Sequence, residues 1–459
     1  MNLKMINMNE LKIKLEQHTP LLHFQHNQEG VALRATELKP KLDRFIFEHL
    51  LEKGETAKAE GWLIHGEENA LNYKIKIKQT QTFDKELLER DKFPTFFANM
   101  GNAIDKKLPI FYNSLEITFF SLYNGLLDVI KDCISEFFFV TNFGTRQSKG
   151  FGSFYPEENS EGYKPIQSIK SKKCIVVSSF IVDLQGGSSN VKKFNNLFTS
   201  IDYFTRMIRG GINICKPLCF RKDEVGMPNW TESGVRLCPG TCKYYIKKDG
   251  KNKDCIFKQT GSVFYLKSSL QKYLKNKNKQ WDKKTIKEVL YNTEYDNSDV
   301  SREKGWYLYR DLLGLASESQ YGDIHDKVLK SNNDVERFSS PVFIKPIIIN
   351  ENQFKVYVGY RILKNEENIL NKQFNINLNI KGTQKNFNIS TPEVFNLEEY
   401  FNYIFTQINI DGCIGNKKIF FKNKGLKDSI ESVLPNSNSY KEYGLIKNIF
   451  NELKSNYNK

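Results

Sequence analysis

Arginine and histidine are scarce in this chain of 459 residues, with 12 arginines against 56 lysines and only six histidines. Long apolar runs are also missing, because no stretch approaches the roughly 20 residues that a membrane-spanning helix needs. The first residues, MNLKMINMNELKIK, do not contain the long apolar core of a secretion signal. We therefore expect a soluble, cytoplasmic protein with no membrane partner.

Several motifs of well-known enzyme classes are absent as well. The sequence contains neither GxxxxGKS/T nor GxGxxG, the glycine-rich loops that bind nucleoside phosphates and dinucleotides. It also contains neither HExxH nor G-x-S-x-G, and no paired-carboxylate motif. We therefore expect no nucleotide cofactor, and we expect that the protein is not an enzyme.

The charge is strongly positive. Lys and Arg total 68 against 53 Asp and Glu, a formal net charge of +15, and the pI is about 9.1. This balance favours a polyanionic partner such as nucleic acid. The alternative is a solvated lysine surface without a partner, because the abundance of Lys, Asn and Ile is typical of an AT-rich genome.

Apolar periodicity predicts an α+β protein. The order strand, helix, strand, strand, helix, loop and strand within residues 1–160 fits a ferredoxin-like (RRM-like, βαββαβ) domain. In its first helix, Thr36 is the expected N-cap and Pro40 lies in the first turn. Residues 161–459 form a second, less regular α+β half, with a cysteine-rich insertion near 213–300 and an exposed Lys/Asn-rich stretch at 267–287.

A glycine-rich loop at residues 142–155, NFGTRQSKGFGSFY, carries two cations between its glycines. Successive backbone N–H groups in such a loop can face phosphate oxygens, and Arg146 and Lys149 add positive charge. The alternative is a glycine turn with solvated cations. The binding hypothesis requires that the main chain of this loop lies open to solvent.

This loop resembles the glycine-rich loop of the RAMP superfamily, the RNA-binding subunits of CRISPR effector complexes. Three more segments resemble signatures of that superfamily: LRATELKPKLDRF from Leu33, YRDLLGL from Tyr309, and ERFSSPVFIKP from Glu336. Pro40 departs from the pattern, since the family usually has Gly there. Together the segments are most similar to the two-domain subunit numbered first in the Cmr-type, type III-B complex.

The resemblance implies two ferredoxin-like domains with insertions that hold guide RNA, or its duplex with target RNA, among other Cmr subunits in antiviral defence. Such a protein must accept every guide, so we expect contacts to phosphates and 2′-hydroxyls and stacking on bases. The candidate RNA-binding residues are Gly144, Arg146, Lys149, Gly150, Phe151, Gly152, Arg34, Lys39, Lys41, Arg44, Arg337 and Lys345. For Phe151 the alternative is packing beneath the loop, and for the helix cations it is a solvated face.

Five of the eight cysteines lie within residues 215–255. The pairs Cys215-x3-Cys219 and Cys238-x3-Cys242, with a lone cysteine after them, have spacings that a structural zinc site can use. Our candidate ligands are Cys219, Cys238, Cys242 and Cys255. The alternative is a set of unrelated buried thiols.

One enzymatic alternative remains. His23 and His26 lie near the first strand and could cleave RNA by general acid–base catalysis without a metal. RAMP-type endoribonucleases that process CRISPR RNA use such groups, so the resemblance keeps this alternative open.

Overall fold

The structure is a computed structural model. It describes residues 9–22, 33–55, 61–65, 68–79, 109–111, 114–183, 190–213, 219–221, 255–258, 265–295, 298–314, 318–319, 328–331, 335, 338–362, 369–380, 383–414 and 438–457. The chain divides into two compact units. One contains residues 1–202, 340–366 and 458–459, and the other contains residues 203–339 and 367–457.

The first unit contains a four-stranded antiparallel sheet. Its strands are β1 (Asn9–Gln17), β3 (Tyr73–Gln79), β5 (Ser114–Ser121) and β6 (Phe154–Pro156). They lie in the order β3-β5-β1-β6. Helix α1 (Ala35–Glu52) follows β1, and helix α2 (Asn124–Val140) follows β5. A two-stranded sheet pairs β2 (Leu21–Leu22) with β4 (Pro109–Ile110).

Alternation along β1 determines which face of this sheet is buried. Leu11, Ile13 and Leu15 are at most 4% exposed, whereas Lys12 and Lys14 between them are exposed. The buried face packs against the apolar stripe of α1, formed by residues such as Leu42 and Phe45 at helical spacing, and against α2. Both helices therefore cover the same side of the sheet.

The first helix begins two residues earlier than the sequence suggests. Arg34 is its N-cap residue, and no side chain caps it, so the predicted capping role of Thr36 is wrong. Pro40 consequently lies beyond the first turn, where its missing N–H removes one hydrogen bond from the helix interior. The apolar stripe of α1 starts at Leu38 and is fully buried at Leu42, so tertiary packing compensates for that loss.

A second sheet of the first unit joins segments that are far apart in sequence. Its strands are β7 (Cys174–Asp183), β14 (Val342–Asn350) and β15 (Gln353–Arg361), in the order β14-β15-β7. β7 pairs with β15 from Asp183 opposite Gln353 to Cys174 opposite Arg361. The structure therefore divides the chain differently from our expectation of a boundary at residue 160, because this pairing returns residues 340–366 to the first unit.

The second unit is built on a sheet in the order β12-β13-β16-β17, with strands Glu318–Ser319, Val328–Ser331, Gln373–Ile380 and Thr383–Ser390. Its short strands β8 (Ile212–Asn213) and β11 (Tyr265–Leu266) pair, as do β9 (Cys219–Arg221) and β10 (Cys255–Lys258). Its helices are α4 (Ser269–Asn276), α5 (Asp282–Tyr291), α6 (Val300–Lys304), α7 (Leu397–Thr406) and α8 (Asn438–Ser455). Helix α3 (Asn190–Arg209) runs through the boundary between the units.

The prediction that residues 267–287 form an exposed insertion is wrong. This stretch contains α4 and the first part of α5, and Leu270, Tyr273 and Leu274 of α4 are at most 6% exposed. These three residues have the i, i+3, i+4 spacing of an amphipathic helix. The prediction followed the high content of Lys and Asn in this stretch and did not take this short apolar pattern into account.

The mixture of helices and antiparallel strands confirms the α+β class. That both halves are ferredoxin-like remains a prediction. None of the helices within the described ranges is long and apolar enough to cross a membrane.

Candidate nucleic-acid interface

The main chain of the glycine-rich loop is bonded within the fold, so our prediction of an open backbone cradle is wrong. The N–H of Gly144 donates to Glu37 Oε1 at 2.7 Å, and the N–H of Thr145 donates to the Leu22 carbonyl at 2.7 Å. Further along, the N–H groups of residues 149, 150, 152 and 153 donate to acceptors at residues 146, 147, 20 and 19. These donors are not available to phosphate oxygens.

The loop glycines permit close packing. Gly152 has φ +65°, and a Cβ atom there would lie 2.1 Å from the Phe143 carbonyl oxygen. Gly150 has φ +81°, and its Cβ would lie 2.7 Å from Cγ of Pro346. Both positions combine a left-handed backbone with a neighbour that leaves no room for a side chain. These two glycines are therefore explained by close packing within the protein, and their conformation does not indicate a ligand.

Two further candidates are buried. The ring of Phe151 is 0% exposed and stacks on Phe198 with ring centroids 3.8 Å apart, so it packs beneath the loop instead of stacking on a base. Lys345 is also 0% exposed. Its ammonium group donates to the carbonyl oxygens of Phe138, Thr141 and Phe154, at 2.7, 3.1 and 3.0 Å. The predicted contact of Lys345 with RNA is therefore wrong, and this lysine ties β14 to the end of α2.

The cations of α1 do not form one track. Lys39 donates to Asp43 Oδ2 at 2.7 Å and to the Leu71 carbonyl at 2.8 Å, and its ammonium lies 4.3 Å from the ring centre of Tyr73. Lys41 is two positions further along, about 200° around the helix, and therefore points to the other side. Lys39 anchors the segment before β3, and its proposed contact with RNA remains a prediction.

Lys41 and Arg44 line a cleft of about 350 Å³ in the first unit. Four elements contribute to it: α1, the end of α2 with the following loop, and the adjoining ends of β7 and β15. The lining residues are Pro40, Lys41, Arg44, Phe45, Glu48, Val140, Thr141, Gln147, Lys173, Cys174 and Arg361. Four of them are cations and one is an acid, so 4 − 1 leaves a formal charge of +3 around an apolar floor.

Two of the four cations are held by neighbours. Lys41 donates to Glu37 Oε1, to the Asn142 carbonyl and to Gln147 Oε1, at 3.0, 3.2 and 3.2 Å. Lys173 pairs with Glu48 at 2.8 Å, and its ammonium lies 3.6 Å from the ring centre of Phe45. These contacts fix the positions of both ammonium groups at the rim of the cleft.

The two arginines of the cleft differ from the lysines. Neither the Arg44 nor the Arg361 guanidinium makes a hydrogen bond or ion pair with any residue in the described part of the chain. Arg44 is exposed and Arg361 is half-buried. Burial lowers the pKa of Lys41, and the positive charge of Arg361 lowers it further, while Glu37 opposes this effect. An anion bound in the cleft would therefore stabilise the charged form of Lys41.

The loop cations are half-buried. Arg146 adopts a left-handed backbone with φ 58° and lies within the electrostatic reach of Asp202. Lys149 ends the short 3-10 helix Gln147–Lys149, whose first residue lines the cleft. Arg34, at the N-terminus of α1, is half-buried as well. Their proposed roles toward RNA remain predictions.

The remaining candidates are only partly described. His23, His26, Arg337, Cys238 and Cys242 lie outside the described residues. The other two proposed zinc ligands lie in the paired strands β10 and β9, with Cys255 opposite Arg221 and Cys219 opposite Lys258. The zinc site therefore remains a prediction.

Sequence reasoning missed Lys173 and Arg361, which complete the cleft. A signal for Arg361 existed, because arginine is rare in this chain and this one ends a strand with strong alternation. No local pattern connects residue 361 with residue 44, since only the pairing of β15 with β7 brings them together.

Comparison with known families agrees with the segments that carried the resemblance. A model of the Cmr1 N-terminal domain matches residues 8–212, and a model of the Cmr1 C-terminal domain matches residues 265–431. This chain belongs to the Cmr1 family. The predicted similarity to the first-numbered subunit of the type III-B complex is thereby confirmed.

Two solved structures are similar to this Cmr1-family chain. One is Cmr1 from Pyrococcus furiosus in its apo form, with 10% identity and a TM-score of 0.34 over 78% of this chain and 89% of that one. The other is a chain of the type III-B Cmr-β bound to cognate target RNA, with 14% identity and a TM-score of 0.24. In that case 34% of this chain matches 61% of the other. No curated protein matches the chain.

Proposed function

We propose that this Cmr1-family chain is a non-catalytic subunit of a cytoplasmic type III-B CRISPR effector complex. It holds guide RNA, or the duplex of guide and target RNA, through contacts that do not depend on base sequence. Its partners are the other Cmr subunits, and its role is antiviral defence. Family membership supports the place in the complex, and a structure of a type III-B complex with target RNA contains a similar chain.

The observation that carries the RNA-binding part of the proposal is the cationic cleft beside α1. Arg44 and Arg361 line it without a protein acceptor among the described residues, and Lys41 and Lys173 flank them. A guanidinium presents a planar set of donors that matches phosphate oxygens. Because the cleft offers cations and an apolar floor, it suits a ribose-phosphate strand of any sequence.

The test measures RNA affinity as a function of salt concentration. A single-stranded RNA releases counterions when cations neutralise its phosphates, and the slope of log K against log salt is about −0.7 for each contact. Replacing both arginines, as Arg44→Ala with Arg361→Ala, should reduce the magnitude of the slope by roughly 1.4. The reduction should be the same for two RNAs of unrelated sequence.

Arg302→Ala provides the matched control, because Arg302 is exposed on α6 in the other unit. This substitution removes an arginine outside the cleft, so the slope of log K against log salt should equal that of the unmodified protein. If the double variant binds both RNAs with an unchanged slope, the cleft does not hold phosphates. If only one of the two RNAs loses affinity, the contacts read bases and the proposal of sequence-independent binding is wrong.

A further inference from the structure

Helices α1 and α2 pack on one face of the four-stranded sheet of the first unit, and these two helices do not cover the other face. The β1 residues Lys12 and Lys14 point to this face, and so do Lys74, Lys76 and Lys78 of β3. The register places Lys12, Thr118 and Lys76 side by side across three strands, and Lys14, Glu116 and Lys78 in the next row. All five lysines are exposed. We call this surface the lysine face.

Most of these ammonium groups are not neutralised by the protein. Lys12 pairs with Glu10 at 2.8 Å. The side chains of Lys14, Lys74, Lys76 and Lys78 make no ion pair or hydrogen bond with any residue that the structure describes. Alternate residues of a strand are about 6.7 Å apart, so β3 presents three cations along one line. A row of this kind suits a repeating polyanion better than a single charged group.

Protection of a sheet edge is the alternative account of this pattern. Lysines on an edge strand prevent unwanted pairing with other chains, and β3 is an edge strand of this sheet. Among the described strands, β6 pairs with β1 only at Leu15–Gln17, so Lys12 and Lys14 lie beyond that pairing. Edge protection uses only the charges, and it does not account for the partly exposed ring of Phe120 on the same face.

The composition of the face favours nucleic acid over a protein partner. Lysine is depleted from protein interfaces, where aromatic residues and arginine are enriched. A partly exposed aromatic residue, Phe120, lies in the row between Glu10 and Lys74. Surfaces that bind single-stranded nucleic acid combine cations along the backbone with an aromatic ring on which bases stack.

We propose that the lysine face is a second RNA-binding surface, which takes single-stranded RNA with its phosphates along β3 and a base on Phe120. The inference rests on the proposed RNA-binding function and adds to it. The cleft lies on the helix-covered side of the sheet, so the two surfaces contact different stretches of RNA. The protein can thus hold two RNA segments at once.

The test uses the full chain and a fluorescein-labelled oligouridine RNA, with binding measured by anisotropy at several salt concentrations. The variant Lys74→Gln/Lys76→Gln/Lys78→Gln removes three phosphate contacts, so the magnitude of the salt slope should fall by roughly 2. The control Lys275→Gln/Lys279→Gln/Lys284→Gln removes three exposed lysines in the second unit and should leave the slope unchanged.

A second variant tests stacking. Phe120→Ala should weaken binding roughly ten-fold without changing the salt slope, because it removes a stacked base and leaves the phosphate contacts in place. Phe120→Tyr should retain the affinity. The difference in affinity between Phe120→Ala and Phe120→Tyr reports on contact with RNA. A loss of sheet stability would not by itself leave the salt slope unchanged.

Three results would overturn the inference. An equal slope for the β3 variant and its control shows that the lysines contact no phosphates. A β3 variant that keeps its RNA slope but no longer copurifies with other Cmr subunits shows a protein interface. If Phe120→Ala and Phe120→Tyr weaken binding equally, no base stacks on the ring. The arginine variants of the cleft are measured in parallel, so failure of the cleft and failure of the lysine face are distinguishable.

Discussion

The ammonium group of Lys345 lies 2.7 Å from the carbonyl oxygen of Phe138, which is 207 residues earlier in the sequence. The same group contacts Asn142 Oδ1 at 3.2 Å, and Asn142 donates from Nδ2 to the Ile344 carbonyl at 3.0 Å. Lys345 and Asn142 thus join β14 to the end of α2 directly behind the glycine-rich loop. Burial and the charge of Arg361 lower the pKa of Lys345.

Replacing Lys345 should therefore affect stability and not RNA binding. Lys345→Met keeps the aliphatic stem but removes the donors to three carbonyl groups, which should lower the free energy of unfolding by about 3 kcal/mol. The measurement is urea unfolding, followed by the salt slope of RNA binding. Lys355→Met on the neighbouring strand β15 is the control, and it should change stability far less. A changed RNA slope with unchanged stability would restore the original assignment of Lys345 to RNA.

Local elements were predictable because each depends on a short pattern. The strand at β1 and the helix at α2 follow from alternation and from apolar content within fewer than 20 residues. The role of Lys345 was not predictable in the same way. Its acceptors come from α2, the following turn and β6, and only the folded chain brings these segments together.

The error at the glycine-rich loop has the same physical origin. Glycines at positive φ are typical both of anion-binding loops and of tight internal packing, and the sequence alone does not separate the two. The acceptors that decide between them lie at Leu22, Pro20 and Glu37, more than 100 residues earlier. Lys41 and Arg44 both line the cleft, but the cleft also requires the distant residues Lys173 and Arg361, which no local pattern connects with α1.

His18 should make stability depend on pH. Its ring is 2% exposed and accepts a hydrogen bond at Nδ1 from the N–H of Ile348. Burial, with a contribution from Lys345, lowers the pKa of His18 to about 3 from the usual 6.5. Between these values the unfolded chain binds a proton that the native chain does not, so stability falls as the pH falls from 6.5 toward 3, by up to about 1.4 kcal/mol per pH unit.

The comparison that isolates this effect is His18→Gln, whose amide oxygen can accept from the same N–H. Unfolding by urea is measured at pH 7.5 and at several lower values. The difference in stability between the two proteins should shift in favour of the glutamine variant as the pH falls below about 6.5. Glu16 Oε1 lies 4.0 Å from Nδ1 of His18, and Glu16 is present in both proteins, so its own titration largely cancels in the difference. A constant difference across this range would contradict a buried neutral His18.

The proposed zinc site predicts a metal content of about one zinc ion per chain. Elemental analysis of the purified protein measures it, and Cys238→Ser combined with Cys242→Ser should remove the metal. Cys413→Ser is the control, because Cys413 is a buried free thiol in the second unit, outside the cysteine cluster. Folded protein without zinc, or equal zinc in both variants, would mean that these thiols are not ligands.

Two glycines with nearly the same φ separate the cost of strain from the cost of packing. Gly152 has φ +65° and Gly54 has φ +67°, but a Cβ atom at Gly54 has no neighbour within 4 Å. Gly54→Ala should therefore cost only the strain of a left-handed residue, about 1 kcal/mol. Gly152→Ala adds a collision 2.1 Å from the Phe143 carbonyl, so its loss of stability should exceed that of Gly54→Ala by at least about 2 kcal/mol. Equal losses in urea unfolding would show that the loop has room for a side chain at Gly152. That result would contradict the tight packing of the loop, in which its N–H groups are bonded within the fold.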